Sequence, residues 1–187
     1  MRLAFFHVRS KFGDRTERTP LGVKSIARMN NPVDFARLAL LSSGHWTWQV
    51  HENQSFLGRL VLHLDRRTEG SIASLSEGEW CDLRVELQAI EAWLSSLFMP
   101  DRFNYAQLGN IYPKLHVHVV PRYRSLREWR SIQFHDVRWG KNWAPTPRSP
   151  MTLDQTYDFA SWMRTDLEER LAVGNLRVSG AQMRSPQ

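Results

Sequence analysis

The stretch that most constrains the fold is "KLHVHVV" (114–120), an apolar run that contains two histidines one residue apart. Successive side chains of a strand point to opposite faces, so a strand here places His116 and His118 on one face and the neighbouring aliphatic residues on the other. Same-face residues lie about 6.6 Å apart along a strand. The sequence therefore predicts a mostly apolar strand that directs two imidazoles to the same place.

The rest of the chain contains further strand and helix patterns. Alternating bulky and polar residues, or short apolar runs between turns, indicate strands over residues 45–52, 58–64 and 103–108. Helix patterns occupy residues 31–43, 76–98 and 152–171. Residues 125–150 are predicted to be irregular. Because strands and helices do not alternate as in a parallel sheet, the sequence predicts an α+β fold, with an antiparallel sheet packed with helices.

The clearest helix pattern begins at Ser76, which can form a capping box with Glu79. Apolar side chains then recur at steps of three and four residues: Trp80, Leu83, Leu87, Ile90, Leu94 and Leu97. Core packing explains this apolar face. We therefore predict that it is buried and has no role in catalysis.

Positive charge is concentrated near the amino end. The net charge is +6, and residues 1–30 contain seven basic and two acidic side chains, so the remainder carries only +1. We interpret residues 1–30 as a basic N-terminal arm. Such an arm is either a solvated extension or a contact for nucleic acid or an anionic surface. The nearly balanced charge of residues 31–187 is not typical of a nucleic-acid-binding domain.

Cys81 is the single cysteine, which excludes an internal disulfide and a cysteine-based zinc cluster. This composition suits a reducing compartment, and we predict a cytoplasmic protein. No apolar run approaches the roughly 18 residues of a membrane-spanning helix. The first residues, "MRLAFFHVRSK", have too short an apolar core for a secretory signal.

Three interpretations of the histidine pair are open at this point. In the first, both rings are structural and bond to backbone or water. In the second, they bind a metal together with a third ligand such as His63, His135 or Asp136. In the third, they act on a phosphate, one as nucleophile and the other as a ligand of the phosphoryl oxygens, because a neutral imidazole is not repelled by an anionic phosphate.

A family resemblance favours the third interpretation. The segment "NYAQLGNIYPKLHVHVVPRY" (104–123) resembles the signature of the histidine triad (HIT) superfamily, in which histidines alternate with apolar residues. Residues 49–80 are similar to the family's hairpin and helix entry, and "FHDVRWGKNWAP" (134–145) is similar to a Trp-Gly segment of some bacterial members. The resemblance implies a HIT-like domain over residues 31–145, followed by a C-terminal helix and flexible tail over 146–187.

The resemblance also implies roles for individual residues. His116 matches the central histidine, which attacks the α-phosphorus of a nucleotide and forms a nucleotidyl-histidine. His118 matches the third histidine, which binds the phosphoryl oxygens and assists the leaving group. Asn110 falls in a stretch that contacts phosphate, and His51 and Asn53 fall on the strand end and turn that line the ribose pocket.

Two positions depart from the family pattern. Lys114 occupies the place of the first histidine and shares the face of the other two, where its cation could neutralise a polyphosphate or alter the hydrogen bonding of the nucleophile. Thr68 occupies a place where many members have histidine. Lys114, Arg122 and Lys141 are the cations nearest the pair in sequence, and we predict that Lys114 and Arg122 bind substrate.

The resemblance implies a nucleotide hydrolase or transferase that cleaves an α-phosphate bond and needs no metal or cofactor. Diadenosine tetraphosphate and an adenosine phosphoramidate are the leading substrates. Since many HIT proteins are homodimers, a homodimer is expected, with no membrane partner. Two other functions stay open: a catalytically weak nucleotide-binding or sensing protein, and a nucleic-acid-associated factor that uses the basic arm.

Overall fold

A computed structural model describes residues 32–66 and 70–180 of the chain. The basic arm, Thr68 and the last seven residues lie outside the described residues, so what the sequence predicts about them stays a prediction. Across the described part, no helix combines the length and the apolar composition that crossing a membrane requires.

A five-stranded antiparallel sheet with the strand order β1-β2-β3-β5-β4 forms the centre of the fold. Its strands are β1 (Ala39–Ser43), β2 (Trp46–Val50), β3 (Leu60–Leu64), β4 (Arg102–Ala106) and β5 (His116–Arg122). A separate antiparallel hairpin consists of β6 (Arg127–Trp129) and β7 (Ile132–Phe134). The strand with the paired histidines, β5, is therefore an inner strand.

The helices are α1 (Phe35–Leu38), α2 (Glu77–Phe98) and α3 (Leu153–Ala172), and a 3₁₀ turn covers Ile72–Ser74. Both long helices begin with a complete capping box, in which the cap side chain and the N3 side chain each bond to the other's backbone N–H. The predicted α+β fold, an antiparallel sheet packed with helices, is thus confirmed.

Side-chain alternation gives the sheet one apolar face and one polar face. Leu62 of β3 lies opposite Val117 of β5, and both belong to the main hydrophobic core, to which α2 and α3 also contribute. The next pair in the register is His63 and His116. Because neighbouring residues of a strand point to opposite faces, these histidines lie on the face away from α2 and α3.

The segment 31–43 differs from its predicted helix. Only Phe35–Leu38 is helical, with the Asp34 carboxylate accepting from the backbone N–H of Ala36, and Ala39–Ser43 forms β1. Pairing with β2 satisfies the backbone of β1, and such long-range pairing is invisible in a local pattern. The sequence also predicted irregular structure over residues 125–150, but the paired strands β6 and β7 lie within this range.

The buried face of α2 also differs from the prediction. Trp80 is 45% exposed, whereas Glu86 is fully buried. The Glu86 carboxylate accepts hydrogen bonds from Trp48 Nε1–H at 2.8 Å, from Ser43 Oγ–H at 2.9 Å and from the backbone N–H of Ser179 at 2.9 Å. These three donors compensate for the loss of water, so a polar residue replaces an apolar one at this point of the core.

Residues 174–180 pack against the body of the domain after α3 ends. Leu176 is buried in the main core, and the backbone N–H of Ser179 donates to the Glu86 carboxylate. The flexible tail expected from the sequence therefore does not begin directly after α3.

Candidate active site

The polar face of the sheet borders a cavity of about 630 Å³. His51 lies just after β2, His63 on β3, and His116 and His118 on β5, with Lys114 just before β5. The other lining residues are Phe35, Thr47, Gln49, Glu52, Val61, Ile111 and Tyr112. Four imidazoles and one ammonium group thus border the same space.

Backbone contact determines which nitrogen of His116 carries the proton. Its Nδ1 lies 2.7 Å from the carbonyl oxygen of Lys114. A carbonyl oxygen only accepts, so Nδ1–H donates and Nε2 keeps its lone pair. The main chain therefore orients the ring of His116, and in the neutral form of the ring the free lone pair is on Nε2.

His118 has the opposite arrangement. Its Nδ1 lies 3.5 Å from Nη2 of Arg59, at the long end of hydrogen-bond distances. A guanidinium only donates, so Nδ1 of His118 accepts and Nε2 carries the hydrogen. Burial, followed by the charge of Arg59 and the nearby His116, lowers the pKa of His118 to about 3. His118 is thus a neutral donor at physiological pH.

The two remaining histidines of the cavity are also held neutral. Burial, then the charge of Arg59, lowers the pKa of His51 to about 2, and its Nδ1 accepts from the backbone N–H of Asn53 at 3.0 Å. Burial, then His116 and Lys114, lowers the pKa of His63 to about 4. The positive charge beside the cavity therefore comes from Lys114 and Arg59 and not from His51, His63 or His118.

The structure brings His51, Lys114, His116 and His118 together, as the sequence predicts, on the lining of one cavity. Asn53 stands beside it and organises the turn: its side chain donates to the Pro147 carbonyl at 2.9 Å and accepts from the Ser55 N–H at 2.9 Å. Asn110 is exposed and directly precedes the lining residue Ile111. These two asparagines are neighbours of the cavity and not part of its wall.

Arg122 is not placed as a substrate ligand. It is 4% exposed, and its Nε and Nη2 donate to Asp136 at 2.7 and 3.2 Å. Its other donors reach Asn104 and the carbonyls of Arg138 and Lys141. A guanidinium with all its nitrogens engaged within the protein is not available to a phosphate, so we assign Arg122 a structural role.

The sequence analysis did not name Arg59, and it considered His63 only as a possible third metal ligand. Both alternate with the core leucines of β3, so they lie on the same face as the β5 histidines. That alternation was visible in the sequence and indicates their face. The contact of Arg59 with Trp143, 84 positions further along the chain, had no sequence signal.

The other two interpretations of the histidine pair fit this geometry less well. Both rings are more than nine-tenths buried, yet they border a cavity of ligand size and are not enclosed by apolar side chains. Of the third metal ligands considered, Asp136 is bound by Arg122. Among the described residues, no group of three metal-ligating side chains is arranged to hold an ion.

Comparison with known proteins identifies the fold. No protein-family model and no curated protein matches the chain. A histidine triad protein from Sinorhizobium meliloti is 21% identical with a TM-score of 0.53, over 70% of this chain and 90% of that one. A histidine triad protein from Marinobacter aquaeolei is 23% identical with a TM-score of 0.55, over 72% and 93%.

A third solved structure is the diadenosine triphosphate hydrolase of Plasmodium falciparum. It is 14% identical to this chain with a TM-score of 0.53, over 72% of this chain and 78% of that one. All three likenesses span most of both chains and agree with the five-stranded antiparallel sheet. The chain therefore has the histidine triad fold.

Proposed function

We propose that this protein is a nucleotide hydrolase or transferase that cleaves an α-phosphate bond through a nucleotidyl-histidine intermediate. The observation that carries the proposal is the complementary hydrogen bonding of two adjacent rings: in their neutral forms, Nε2 of His116 keeps a lone pair and Nε2 of His118 carries the hydrogen. One ring can attack phosphorus while the other donates to a phosphoryl oxygen. The fold shared with a diadenosine triphosphate hydrolase supports the same chemistry.

In the first step, the Nε2 lone pair of His116 forms a bond to the α-phosphorus. The bond from phosphorus to the leaving group breaks, and the leaving oxygen or nitrogen takes the bonding electrons and then a proton from solvent. The neutral imidazole is a suitable nucleophile because it carries no negative charge against the anionic phosphate. The hydrogen bond from Nδ1–H to Lys114 O stabilises the positive charge that develops on the ring.

In the second step, water attacks the same phosphorus and the bond to His116 Nε2 breaks. The water releases a proton to solvent, the ring regains its lone pair, and a nucleoside monophosphate leaves. If another acceptor takes the place of water, the same intermediate gives a transfer reaction.

Two side chains stabilise the negative charge in both steps. His118 donates its Nε2–H to a phosphoryl oxygen, and Lys114 contributes a cation on the cavity lining. In a site largely screened from water, such donors are worth more than in bulk solvent. Lys114 serves the further phosphates or the leaving group of the substrate.

The rim of the cavity supports a nucleotide as substrate. Phe35, Ile111 and Tyr112 line the cavity and are 56, 99 and 52% exposed. Exposed aromatic and aliphatic groups around a polar centre suit a ligand with a flat base at one end and phosphates at the other. We propose dinucleoside polyphosphates, such as diadenosine tetraphosphate, or nucleoside phosphoramidates as the substrate class.

The test is incubation with a panel of adenylated compounds that share the α-phosphate and differ in the leaving group. Product release and an acid-labile protein adduct are measured for the wild type and for His116→Ala. His135→Ala is the matched control, because His135 is exposed and does not line the cavity. We expect loss of turnover and adduct in His116→Ala alone; unchanged turnover in that variant refutes the nucleophile.

A catalytically weak nucleotide-binding protein is the second candidate. Lys114 favours it, because a cation in place of the first triad histidine strengthens phosphate binding without supplying an acid of suitable pKa for the leaving group. This candidate predicts that adenosine nucleotides bind, as measured by calorimetry, while no adduct accumulates and no product forms.

We also propose that the chain forms a homodimer in the cytoplasm. The strand β4 lies at an edge of the sheet, where its outer backbone groups can pair with a second copy, and Tyr105 on this strand is 41% exposed. Light scattering is expected to give twice the mass of the chain, and a monomeric mass argues against this assembly.

A further inference from the structure

Arg59 is a buried cation that forms no salt bridge in the described part of the chain, and the Glu52 carboxylate acts on it only from beyond ion-pairing distance. Its side chain is 3% exposed, and within residues 32–66 and 70–180 no carboxylate lies within ion-pairing distance of it. Its Nε has no hydrogen-bond partner in the described part of the chain. Burying an unpaired charge is costly, so a residue of this kind is expected to have a function.

Two rings surround the Arg59 guanidinium. Its central carbon lies 4.8 Å from the ring centre of Trp143, which stabilises the cation through its π electrons. Its Nη2 lies 3.5 Å from Nδ1 of His118, and the rings of His118 and Trp143 are 5.8 Å apart. The Arg59 guanidinium thus contacts the Trp143 ring through a cation–π interaction and the His118 ring through Nη2.

Arg59 itself does not line the cavity, whereas His118 does. Any effect of the arginine on a ligand therefore acts through His118. A fixed positive charge at this distance disfavours a second positive charge on the imidazole, and a group that only donates forces Nδ1 to accept. The other titratable groups near His118 are His116 on β5, His63 on β3 and His51 after β2.

We propose that Arg59 is a positioning residue that keeps His118 neutral with its hydrogen on Nε2, so that this N–H is always available to a phosphoryl oxygen. The role in phosphate binding rests on the proposed function, while the control of the His118 ring stands independently of it. The lowered pKa of His118, caused by burial and then by Arg59, agrees with this arrangement.

The direct test is nuclear magnetic resonance of the histidine rings, with His118 assigned from a His118→Gln spectrum. Nitrogen shifts of the wild-type protein at neutral pH are expected to show Nε2–H and an unprotonated Nδ1 on His118. An Nδ1–H form overturns the proposal without any Arg59 variant, so the test does not depend on how a variant folds.

Two substitutions separate charge from packing. Arg59→Met keeps an unbranched chain against Trp143 but removes the charge, and Arg59→Lys keeps the charge. We expect the titration midpoint of His118 to rise by about one pH unit or more in Arg59→Met, which is the usual effect of a nearby charge, and to change little in Arg59→Lys. No rise in Arg59→Met, or an equal rise in both variants, overturns the proposal.

Arg124→Met is the matched control. Arg124 also lies over a tryptophan, 5.2 Å from the ring centre of Trp139, but it is exposed and remote from the cavity lining. This substitution is expected to leave the titration of His118 unchanged. A shift of the same size in Arg124→Met would mean that the general charge of the protein, and not Arg59, controls the ring.

Turnover separates this inference from the proposed function. With the best substrate of the adenylated panel, Arg59→Met is expected to lower kcat by about tenfold or more, because losing the partner that sets a catalytic tautomer is costly, and Arg59→Lys to restore most of it. If the wild type turns over no substrate while the His118 midpoint still shifts, the proposed function fails and the role of Arg59 stands.

Discussion

The rings of His116 and His118 are 5.0 Å apart between centroids, and their planes are nearly perpendicular at 82°. Adjacent same-face positions of β5 produce this separation, and two unrelated contacts, one to a backbone carbonyl and one to a guanidinium, orient the rings. This arrangement fits the proposed function, in which both rings contact the same phosphoryl group.

Because the two rings act on one group, their loss is expected to be non-additive. His116→Ala should lower turnover of an adenylated substrate by about 10³-fold or more, and His118→Ala by about 10²-fold. The double variant should be no slower than His116→Ala alone. When two residues act in the same step, removing the first already removes the rate enhancement to which the second contributes. Steady-state kinetics of the four proteins measures this, and fully multiplicative losses would contradict a shared step.

Lys114 is expected to affect substrate affinity more than the attack. Lys114→Ala should raise the KM of a dinucleoside polyphosphate by about three- to tenfold at low ionic strength, with a smaller difference at high salt because the charges are screened. The adduct should still form, because His116 is oriented by the main chain of residue 114. Lys141→Ala, which changes an exposed lysine outside the cavity lining, is the control.

The neutral histidines predict acid sensitivity of the fold. His51, His63 and His118 have folded pKa values of about 2, 4 and 3, all below the unfolded value of 6.5. Between the folded and unfolded pKa values, the unfolded chain binds more protons than the folded chain. The contribution of these histidines to the free energy of unfolding is therefore fully present above pH 6.5 and is lost as the pH falls toward 4. Each group can contribute up to about 1.4 kcal/mol per pH unit.

We expect the free energy of unfolding to be about 3 kcal/mol lower at pH 5 than at pH 7, after allowing for mutual repulsion of the three groups. Urea unfolding at both pH values measures the difference. His63→Gln should reduce it, whereas His135→Gln, at an exposed position away from the cavity, should not. A stability that is independent of pH in this range would show that these rings are not held neutral.

The buried pair of Arg122 and Asp136 predicts a variant that loses stability without losing chemistry. Asp136→Ala leaves a buried guanidinium unpaired and should lower the free energy of unfolding by about 3–5 kcal/mol. The KM of the protein that remains folded should change little, because Arg122 lies outside the cavity lining. Asp158→Ala, at an exposed position of α3, is the control. A large rise in KM would indicate that Arg122 contributes to substrate binding and would contradict its structural role.

Local patterns in the sequence predicted the parts of the fold that depend on near neighbours. Alternation identified β5 and the shared face of its histidines, and the capping residues located the starts of both long helices. The strand β1 and the hairpin β6–β7 were missed because pairing with a neighbouring strand stabilises them. Such pairing leaves little signal in the hydrophobic pattern of a short segment.

The same division applies to the candidate site. His51, His116, His118 and Lys114 were predicted from position and family resemblance, and all four line the cavity. Arg122 was misjudged because its neighbours in sequence do not reveal Asp136, which occupies its donors. Arg59 was missed for the converse reason, since nothing near it in sequence shows that it is buried without a counter-ion.

The oxygen that orients the attacking ring belongs to the main chain at residue 114. Any side chain at that position supplies the same atom, so its identity can change without disturbing the nucleophile. If the proposed function holds, a single substitution at residue 114 can change which leaving group the site accepts and keep the orientation of the His116 ring. Only a change that displaces the backbone between residues 114 and 116 would reach the attacking nitrogen.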